Sequence, residues 1–312
     1  MPKVLWGGND TVLRSFETPL KEALINAVPN AELVFGFENP SEIDYLIYAP
    51  NGPIQNFDGF TALKLIQSIW AGVDVILSNG NLPNVPLSRM ADTGMAEGMA
   101  DYVVTHVMRH HCGTDTHVQM KPAEWLTDTA PPLARDRKVA VLGLGNLGQF
   151  CAARLRAQGF QMLGWSRSPK TVDGVTVFHG KDGLNKILSE GDIFVLLLPN
   201  TPDTENTLNA ETIAKMKPGA SLVNAGRGDA IDDGALVSAL RSGHISQATL
   251  DVFRTEPLPS DHPYWHMPNV LVTPHIAAET RVKTACEFAA ENIRRGENGE
   301  PFMALVDRDR GY

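Results

Sequence analysis

The chain has 312 residues, of which 43% are hydrophobic and 20% charged, and its formal net charge is −9 at pH 7. This composition is that of an ordinary soluble protein and not of a disordered or membrane chain, and the acidic balance argues against a nucleic acid or an anionic membrane surface as a partner. The length exceeds the size at which a single hydrophobic core stops growing, so two domains are expected.

The first ninety residues alternate short β-rich runs with helical patterns. The predicted elements span residues 3–6, 19–27, 32–35, 45–48, 63–70 and 85–89. Such alternation predicts a parallel sheet flanked by helices. A long helical segment follows from about residue 95 to residue 111, with Gly98 as a weak interruption. This helix is expected to carry the chain from one domain to the other.

A second unit opens after Pro131 and Pro132. Its predicted elements span residues 138–142, 147–158, 161–165, 192–198, 220–224, 232–242, 246–251 and 269–273, with a closing helix from about 277 to 295. Repeated strands and helices of this kind predict an α/β fold with a doubly wound parallel sheet. The tail beyond Gly296 is expected to return to the first domain, since chain termini often lie close together.

Gly143, Gly145 and Gly148 form a Gly-x-Gly-x-x-Gly pattern directly between a predicted strand and a predicted helix. In that context the glycines allow a tight turn, close approach of the backbone to a pyrophosphate, and close packing of helix on strand. This segment, with Leu147, is therefore predicted to bind a dinucleotide. The alternative is a glycine-rich structural turn.

The next predicted strand ends in Ser166-Arg167-Ser168, where an NAD-binding domain usually carries an acidic residue for the ribose 2′-hydroxyl. A carboxylate would repel a 2′-phosphate, whereas a guanidinium flanked by hydroxyls can bind it through charge-assisted hydrogen bonds. We therefore predict NADP(H) as the cofactor. The alternative is a solvent-exposed arginine beside a turn, because related folds sometimes use NAD without the acid.

Three polar islands, residues 224–229, 251–257 and 273–278, contain Arg227, Glu256 and His275. Arg227 and His275 each follow an apolar strand, so both are expected at the carboxyl edge of the sheet, where ligands bind in such folds.

This set of side chains predicts the chemistry of a 2-oxo acid reductase. The cation of Arg227 can grip a carboxylate and polarise the neighbouring carbonyl, and an imidazole backed by a carboxylate can donate a proton. Glu256 is predicted to hydrogen-bond one ring nitrogen of His275 and to keep the imidazole protonated near neutral pH. The alternatives are a surface arginine in a glycine-rich loop and a structural histidine.

Other polar and aromatic residues give weaker signals. His106 and His110 lie four residues apart on the long helix, a spacing compatible with metal binding, but no Cys, Asp or Glu completes a metal motif. We predict no metal and interpret this helix face as part of a domain or subunit junction. Trp125, Tyr264 and Trp265 are interpreted as packing residues.

The cysteines and the N-terminus bear on the compartment. Three cysteines, Cys112, Cys151 and Cys286, show no paired spacing and are read as buried or incidental thiols in a reducing environment. The apolar run before Asn9 is too short for a signal peptide, and no stretch approaches membrane-spanning length. The sequence therefore predicts a cytoplasmic protein.

At these motifs the sequence resembles the D-isomer-specific 2-hydroxyacid dehydrogenases. The resemblance covers essentially the whole chain and rests on the glycine fingerprint, on the run 196–204 and on the three polar islands. Segments 91–95, 165–167, 256–259 and 306–312 are most similar to the glyoxylate/hydroxypyruvate reductase A branch of that family.

The resemblance implies two domains with a cleft between them. Residues 1–93 and 283–312 would form a flavodoxin-like substrate domain, and residues 94–282 an inserted Rossmann-type NADP-binding domain. It also implies a homodimer built largely through the nucleotide domains.

The resemblance also assigns roles to individual residues. Ala71 and Gly72 would offer backbone N–H groups to the substrate carboxylate, although Trp70 departs from the smaller residues that many relatives carry before the glycine. Asp251 would hold the nicotinamide carboxamide, and Leu198 and Pro199 would line the cofactor.

The expected activity is NADPH-dependent reduction of glyoxylate to glycolate and of hydroxypyruvate to D-glycerate. Rivals within the family are dehydrogenases for D-lactate, phosphoglycerate or a bulkier 2-oxo acid, of which phosphoglycerate is the weaker because the chain has no room for an appended regulatory domain. A rival of another class is a nucleotide-sensing binding protein, because some relatives of this fold act as corepressors and fold does not fix function.

Overall fold

A computed structural model describes residues 1–36, 39–121, 123, 125–127 and 129–312. The chain forms two compact units, Met1–Met95 with Thr280–Tyr312 and Ala96–Glu279. Among the described residues, no helix combines the length and the apolar character needed to span a bilayer. The substrate and nucleotide roles predicted for the two segments of the chain remain predictions at this point.

Within the described residues there are twelve strands and nine α-helices. The strands are β1 Lys3–Gly7, β2 Glu32–Val34, β3 Tyr45–Tyr48, β4 Leu65–Ser68, β5 Leu87–Ser88, β6 Lys138–Leu142, β7 Gln161–Ser166, β8 Val175–His179, β9 Ile193–Leu196, β10 Ala220–Asn224, β11 Ile245–Leu250 and β12 Val270–Val272. The helices are α1 Asp10–Ala27, α2 Asp74–Leu77, α3 Thr93–His111, α4 Thr114–Val118, α5 Asn146–Ala157, α6 Gly180–Glu190, α7 Ala210–Ile213, α8 Asp233–Ser242 and α9 Val282–Glu297.

The first unit contains a five-stranded parallel sheet in the order β2-β1-β3-β4-β5. This is the flavodoxin-like strand order. The C-terminal segment joins it through Asn292, which is fully buried on α9 and donates to Gln67 Oε1 at 2.7 Å and to Ser88 Oγ at 3.0 Å. A buried amide with these partners fixes the position of α9 in this unit.

Helix α1 begins nine residues before the predicted start at Pro19, which lies inside it. Asn9 caps the helix by accepting from the Val12 backbone N–H at 2.9 Å. Phe16, Leu20 and Leu24 are buried at four-residue intervals, so they form one apolar face. Burial of that face outweighs the single backbone hydrogen bond that the proline removes.

The second unit contains a seven-stranded parallel sheet in the order β12-β11-β10-β9-β6-β7-β8. Counted within this unit, the strands follow the Rossmann order 3-2-1-4-5-6 with a seventh added at one edge. The order reverses between β6 and β9, which is where such sheets bind their ligands. The predicted α/β architecture, flavodoxin-like and Rossmann-type, is confirmed.

Both faces of this sheet are covered, as the alternation along β6 shows. Val139 and Val141 join a core cluster that includes residues of α3 and α5. Ala140 and Leu142 join a second cluster that includes residues of α6 and α8. Successive side chains of a strand point to opposite faces, so β6 is apolar throughout because it lies between two helical layers.

Several elements differ from the predictions. In the second unit the sequence analysis omits β8, α4, α6 and α7, and in the first unit it starts α9 at about 277 instead of at Val282. Residues 275–279 are not helical, and the backbone N–H groups of Ile276 and Ala277 donate to the carboxylate of Asp251.

Candidate active site

Arg227 lies in a loop directly after β10, whose residues are buried along its whole length. The buried Asn224 side chain shapes this loop, accepting from Gly226 N at 3.1 Å and donating to the Arg227 carbonyl at 3.1 Å. The arginine is half-buried, and its Nη1 donates to the Gly226 carbonyl at 2.8 Å. Its guanidinium is therefore held close to the sheet edge.

The glycines on either side of Arg227 allow close approach of neighbouring backbone. A Cβ at Gly226 would lie 2.8 Å from Leu198 N, and one at Gly228 would lie 2.0 Å from the carbonyl carbon of Phe253. The Arg227 loop is thus packed between the segment after β9 and the segment after β11. No larger residue fits at either position without displacing a backbone.

His275 and Glu256 are in direct contact, as predicted. His275 Nδ1 lies 2.7 Å from Glu256 Oε2, while Glu256 Oε1 accepts from the Phe253 backbone N–H at 2.8 Å. The carboxylate is therefore fixed by its own loop and in turn orients the ring. The His275 side chain remains 51% exposed, so a ligand can reach the imidazole.

Asp251 organises the turn that carries His275. Its buried carboxylate accepts from Thr273 Oγ1 at 2.6 Å and from the backbone N–H groups of Ile276 and Ala277, each at 2.9 Å. The Asp251 carbonyl also accepts from His275 N at 2.9 Å. Between these bonds His275 adopts φ 55°, a left-handed conformation that a residue with a Cβ seldom takes.

Arg227, Asp251 and His275 follow three adjacent parallel strands, β10, β11 and β12. The carboxyl ends of parallel strands share one edge of the sheet, so the three islands meet there. This adjacency was expected from the strand pattern, and the direct bond between His275 and Glu256 was a hypothesis that the sequence alone could not test.

Arg254 was missed by the sequence analysis. Its Nε and Nη2 donate to the Ile231 carbonyl at 3.0 and 2.6 Å, and Nη2 also donates to the Asp229 carbonyl at 3.1 Å and to Asn206 Oδ1. The guanidinium therefore ties the Glu256 loop to the loop that follows Arg227. An arginine two residues before the glutamate was visible in the sequence, but its partners were not.

The three fingerprint glycines have separate roles in the structure. Gly143 has φ 104°, and a Cβ there would lie 2.5 Å from the Leu197 carbonyl oxygen. A Cβ at Gly148 would lie 1.9 Å from the Gly143 oxygen. Gly145 is different: its φ is −70° and a Cβ would meet no atom within 4 Å.

Neither the backbone conformation nor the packing around residue 145 requires a glycine there. The open space beside Gly145 is therefore suited to a ligand. Gly145 also occupies the N-cap position of α5 without a side-chain cap, which leaves backbone N–H groups for an anion. The residues present therefore fit a dinucleotide pyrophosphate. The side chain of Leu147 is partly buried and packs against the core.

Ser166 is the last residue of β7, the strand beside β6, and Arg167 and Ser168 follow it. Ser166 Oγ donates to the Ser168 carbonyl at 2.8 Å, and Arg167 Nη1 lies 3.0 Å from Asp203 Oδ2. Lys170 Nζ donates to the Leu144 carbonyl at 2.7 Å, inside the fingerprint loop. Lys170 was not among the predicted cofactor residues, although its place three residues after Arg167 was a usable signal.

Leu198 and Pro199 follow β9, which is the other strand at the reversal point. Leu198 is buried, and the Pro199 carbonyl accepts from Thr204 Oγ1 at 2.7 Å. In the first unit, Ala71 and Gly72 follow β4 in a loop shaped by Ser68, whose Oγ donates to the Trp70 carbonyl at 3.1 Å, and by Thr280, which donates to the Ile69 carbonyl at 2.8 Å.

The histidines of α3 lie within the second unit, where His110 and His111 are buried and His106 is partly buried. His110 lies 2.9 Å from Gln247 Oε1 and 3.1 Å from Thr249 Oγ1, both on β11, and His106 packs against the Tyr102 ring at 4.3 Å. Burial lowers the pKa of His106 to about 4. In the part of the chain that the structure describes, no cluster of three His, Cys, Asp or Glu residues could hold a metal ion.

Residues 102–277 match the family model of the D-isomer-specific 2-hydroxyacid dehydrogenase NAD-binding domain. The matched range includes the fingerprint, the Arg227 loop, Glu256 and His275. The chain belongs to this family. It is therefore an NAD(P)-dependent dehydrogenase, and its Rossmann-type sheet is the family's nucleotide-binding domain.

Individual relatives agree with this assignment. The chain is 40% identical to glyoxylate/hydroxypyruvate reductase A from Serratia proteamaculans over 256 residues, which is 80% of this chain and 82% of that protein. A family member from Xanthobacter autotrophicus Py2, solved with NADPH and MES, superposes with a TM-score of 0.92 at 38% identity, covering 100% of this chain and 99% of the other.

A third relative is the NADPH-dependent glyoxylate/hydroxypyruvate reductase from Sinorhizobium meliloti, solved with NADP and sulfate. It has a TM-score of 0.87 at 33% identity, with 100% of both chains covered. The predicted similarity to the reductase A branch of the dehydrogenase family is thereby confirmed.

Proposed function

We propose that this dehydrogenase reduces small 2-oxo acids with NADPH, converting glyoxylate to glycolate and hydroxypyruvate to D-glycerate. The observation that carries the proposal is the 2.7 Å contact between His275 and Glu256 on loops adjoining that of Arg227. A cation and a carboxylate-oriented imidazole supply what reduction of a 2-oxo acid demands of the protein. The relatives named as glyoxylate/hydroxypyruvate reductases support the choice of substrate.

The proposed catalytic roles follow from the site's hydrogen bonds. NADPH, when bound, supplies the hydride for the C2 carbonyl. Arg227 binds the carboxylate and polarises the carbonyl oxygen. Because Nδ1 of His275 faces the Glu256 carboxylate, Nδ1 carries a proton, and the other ring nitrogen donates the proton that the substrate oxygen takes up.

The cofactor is proposed to lie along the edge that begins at the fingerprint. The backbone around Gly145 and the N-terminus of α5 would hold the pyrophosphate, while Leu198 and Pro199 would line the site. Asp251 Oδ2 accepts from Ala277 N and has a second lone pair for the nicotinamide carboxamide. Ala71 and Gly72 are proposed to offer backbone N–H groups to the substrate carboxylate.

NADP preference is proposed to come from Ser166, Arg167 and Ser168, with Lys170 as a further cation nearby. The relatives solved with NADPH or NADP support this cofactor. Removing the guanidinium in Arg167→Ala should raise KM for NADPH about tenfold or more and leave KM for NADH nearly unchanged. Arg156→Ala is the matched control, because Arg156 is similarly exposed and also pairs with an aspartate, Asp173.

A cytoplasmic homodimer is part of the proposal, and the homodimer rests on the family resemblance. Sedimentation of the purified chain tests it: a mass near twice 34.0 kDa is expected, and a monomer at assay concentration contradicts it.

The direct test of the substrate is NADPH consumption, followed at 340 nm with a panel of 2-oxo acids. We expect glyoxylate and hydroxypyruvate to have the highest kcat/KM, with NADPH preferred over NADH. Faster turnover of pyruvate or of a bulkier 2-oxo acid would overturn the substrate assignment alone. Tight NADPH binding without turnover of any member of the panel would favour a nucleotide-sensing protein instead.

A further inference from the structure

A chain of hydrogen bonds runs from helix α3 to the turn that carries His275. The Tyr102 hydroxyl lies 2.7 Å from Thr273 Oγ1, and Thr273 Oγ1 lies 2.6 Å from Asp251 Oδ1. Asp251 then accepts from the backbone N–H groups of Ile276 and Ala277. The residues on either side of His275 are thus connected to a tyrosine 171 positions away from Thr273 in sequence.

The hydrogen bonds of this series all run in one direction, from Tyr102 through Thr273 to Asp251. A carboxylate only accepts hydrogen bonds, so the Thr273 hydroxyl proton is directed at Asp251. Thr273 Oγ1 is therefore the acceptor for Tyr102. Burial raises the pKa of Tyr102, so its hydroxyl keeps the proton that it donates.

The turn that receives these bonds needs them. His275 has φ 55°, and a non-glycine residue in the left-handed region is held there only when the surrounding structure over-determines it. The Asp251 carboxylate provides three of the constraints, through Thr273, Ile276 and Ala277. If the carboxylate rotates, the imidazole loses its fixed direction relative to Glu256.

We propose that Tyr102 is a positioning residue for the proton donor: by fixing Thr273 and Asp251, it holds His275 in its reactive orientation. The inference rests on the proposed function, in which His275 protonates the substrate. In this proposal Tyr102 does not contact the imidazole of His275 and acts on it only through the turn.

Tyr102→Phe tests the proposal with little disturbance of packing, because the ring that contacts His106 is retained. We expect kcat for glyoxylate to fall about fivefold to tenfold, because the acid loses its orientation, and KM for NADPH to rise by a smaller factor, because Asp251 is also the proposed partner of the nicotinamide carboxamide. Tyr45→Phe is the control: the Tyr45 hydroxyl also donates to a side chain, the carboxylate of Glu297, at 2.8 Å, but Tyr45 lies in the other unit. Equal kcat in both variants and the wild type would overturn the proposal.

Hydrogen exchange provides a readout that does not need turnover. The amides of Ile276 and Ala277 should exchange about tenfold faster in Tyr102→Phe, while the amides of β6 keep their wild-type rates. A uniform increase that includes β6 would mean general destabilisation and would contradict a positioning role, as would unchanged exchange throughout. If the wild type reduces none of the acids, the proposed function fails, and these amides still decide whether Tyr102 orders the turn.

Substitutions at Thr273 test whether Tyr102 acts through it. Thr273→Val removes the hydroxyl and should lower kcat at least as much as Tyr102→Phe, whereas Thr273→Ser should recover most of the loss. The double variant with Tyr102→Phe should be no slower than Thr273→Val alone, because both changes interrupt one chain. Additive losses in the double variant would show that Tyr102 acts by another route.

Discussion

At the residue scale, the two oxygens of Glu256 have different tasks. Oε1 is held by the Phe253 backbone N–H, and Oε2 faces His275. Glu256→Gln keeps an oxygen for Phe253 but places an amide N–H₂ against the imidazole. Because an amide N–H₂ group cannot accept a hydrogen bond from the ring, and a neutral amide does not stabilise the protonated ring, we expect kcat to fall by about 10²-fold with KM for NADPH little changed.

Steady-state kinetics of Glu256→Gln beside Glu211→Gln checks this expectation. Glu211 is an exposed carboxylate that pairs with Lys215, away from the loops described above, so its removal controls for the loss of one surface charge. Retention of full kcat in Glu256→Gln would refute the assigned role of the carboxylate.

Some residues of the candidate site were predicted from the sequence, and others were found only in the structure. Arg227, Glu256 and His275 were predicted because each lies in a polar island at or near the end of an apolar strand, and strand ends share an edge. Tyr102 was not predicted because its partner is distant in sequence and a tyrosine on a helix usually packs. Contacts of this kind depend on tertiary structure, which a local pattern does not contain.

At the element scale, the segment that leads from β6 into α5 contains two glycines with different roles. Gly148 has a structural role, and Gly145 is proposed to serve the cofactor. Gly145→Ala should leave the unfolding midpoint nearly unchanged, because its Cβ meets no protein atom, while raising KM for NADPH about tenfold or more. Gly148→Ala should instead lower the midpoint, since its Cβ would lie 1.9 Å from the Gly143 oxygen. Thermal unfolding and NADPH titration of both variants distinguish them. Equal destabilisation by the two changes would contradict this assignment.

Arg254 connects two loops of the site, so its loss should affect substrate binding and catalysis together. Arg254→Met leaves the Ile231 and Asp229 carbonyls without their guanidinium partner, and we expect kcat/KM for glyoxylate to fall about tenfold. Arg308→Met is the control, because Arg308 also donates to two backbone carbonyls, those of Pro83 and Val85, but in the other unit. An equal loss in both variants would show a general effect on stability rather than one on the loops.

Strands in the interior of the second sheet were predicted, whereas its edge strands were predicted unevenly. β6, β9 and β10 are buried on both faces, and their central residues are mainly apolar. Of the two edge strands, β12 was predicted, whereas β8, which has no fully buried residue, was omitted. The start of α9 was placed too early, because the tertiary contacts of the preceding turn, such as those to Asp251, are not visible in the sequence.

At the scale of the whole molecule, buried histidines should make stability depend on pH. Burial lowers the pKa of His106 to about 4, and it also lowers the pKa values of His110 and His111. As pH falls below the ordinary histidine value of 6.5, the unfolded chain takes up protons that the folded chain does not. The free energy of unfolding should therefore change little between about pH 7 and 8 and should decrease between 6.5 and 4.

Urea unfolding at pH 8, 6 and 5 measures this slope. For His106 the lowered pKa corresponds to a loss on the order of 3 kcal/mol at most, since one pKa unit is worth about 1.4 kcal/mol. His106→Leu should flatten the slope. Glu291, whose pKa its arginine neighbours lower to about 2, affects stability only at more acidic pH. A slope that is unchanged in His106→Leu would contradict this origin.

The central claim is that His275, oriented by Glu256 beside Arg227, protonates a small 2-oxo acid reduced by NADPH. The most direct test is the rate of NADPH oxidation at 340 nm with glyoxylate, compared between the wild type and His275→Gln at saturating NADPH. We predict rapid oxidation by the wild type and a loss of at least about 10²-fold in the variant, with NADPH binding retained. Equal rates in the two proteins would contradict the claim.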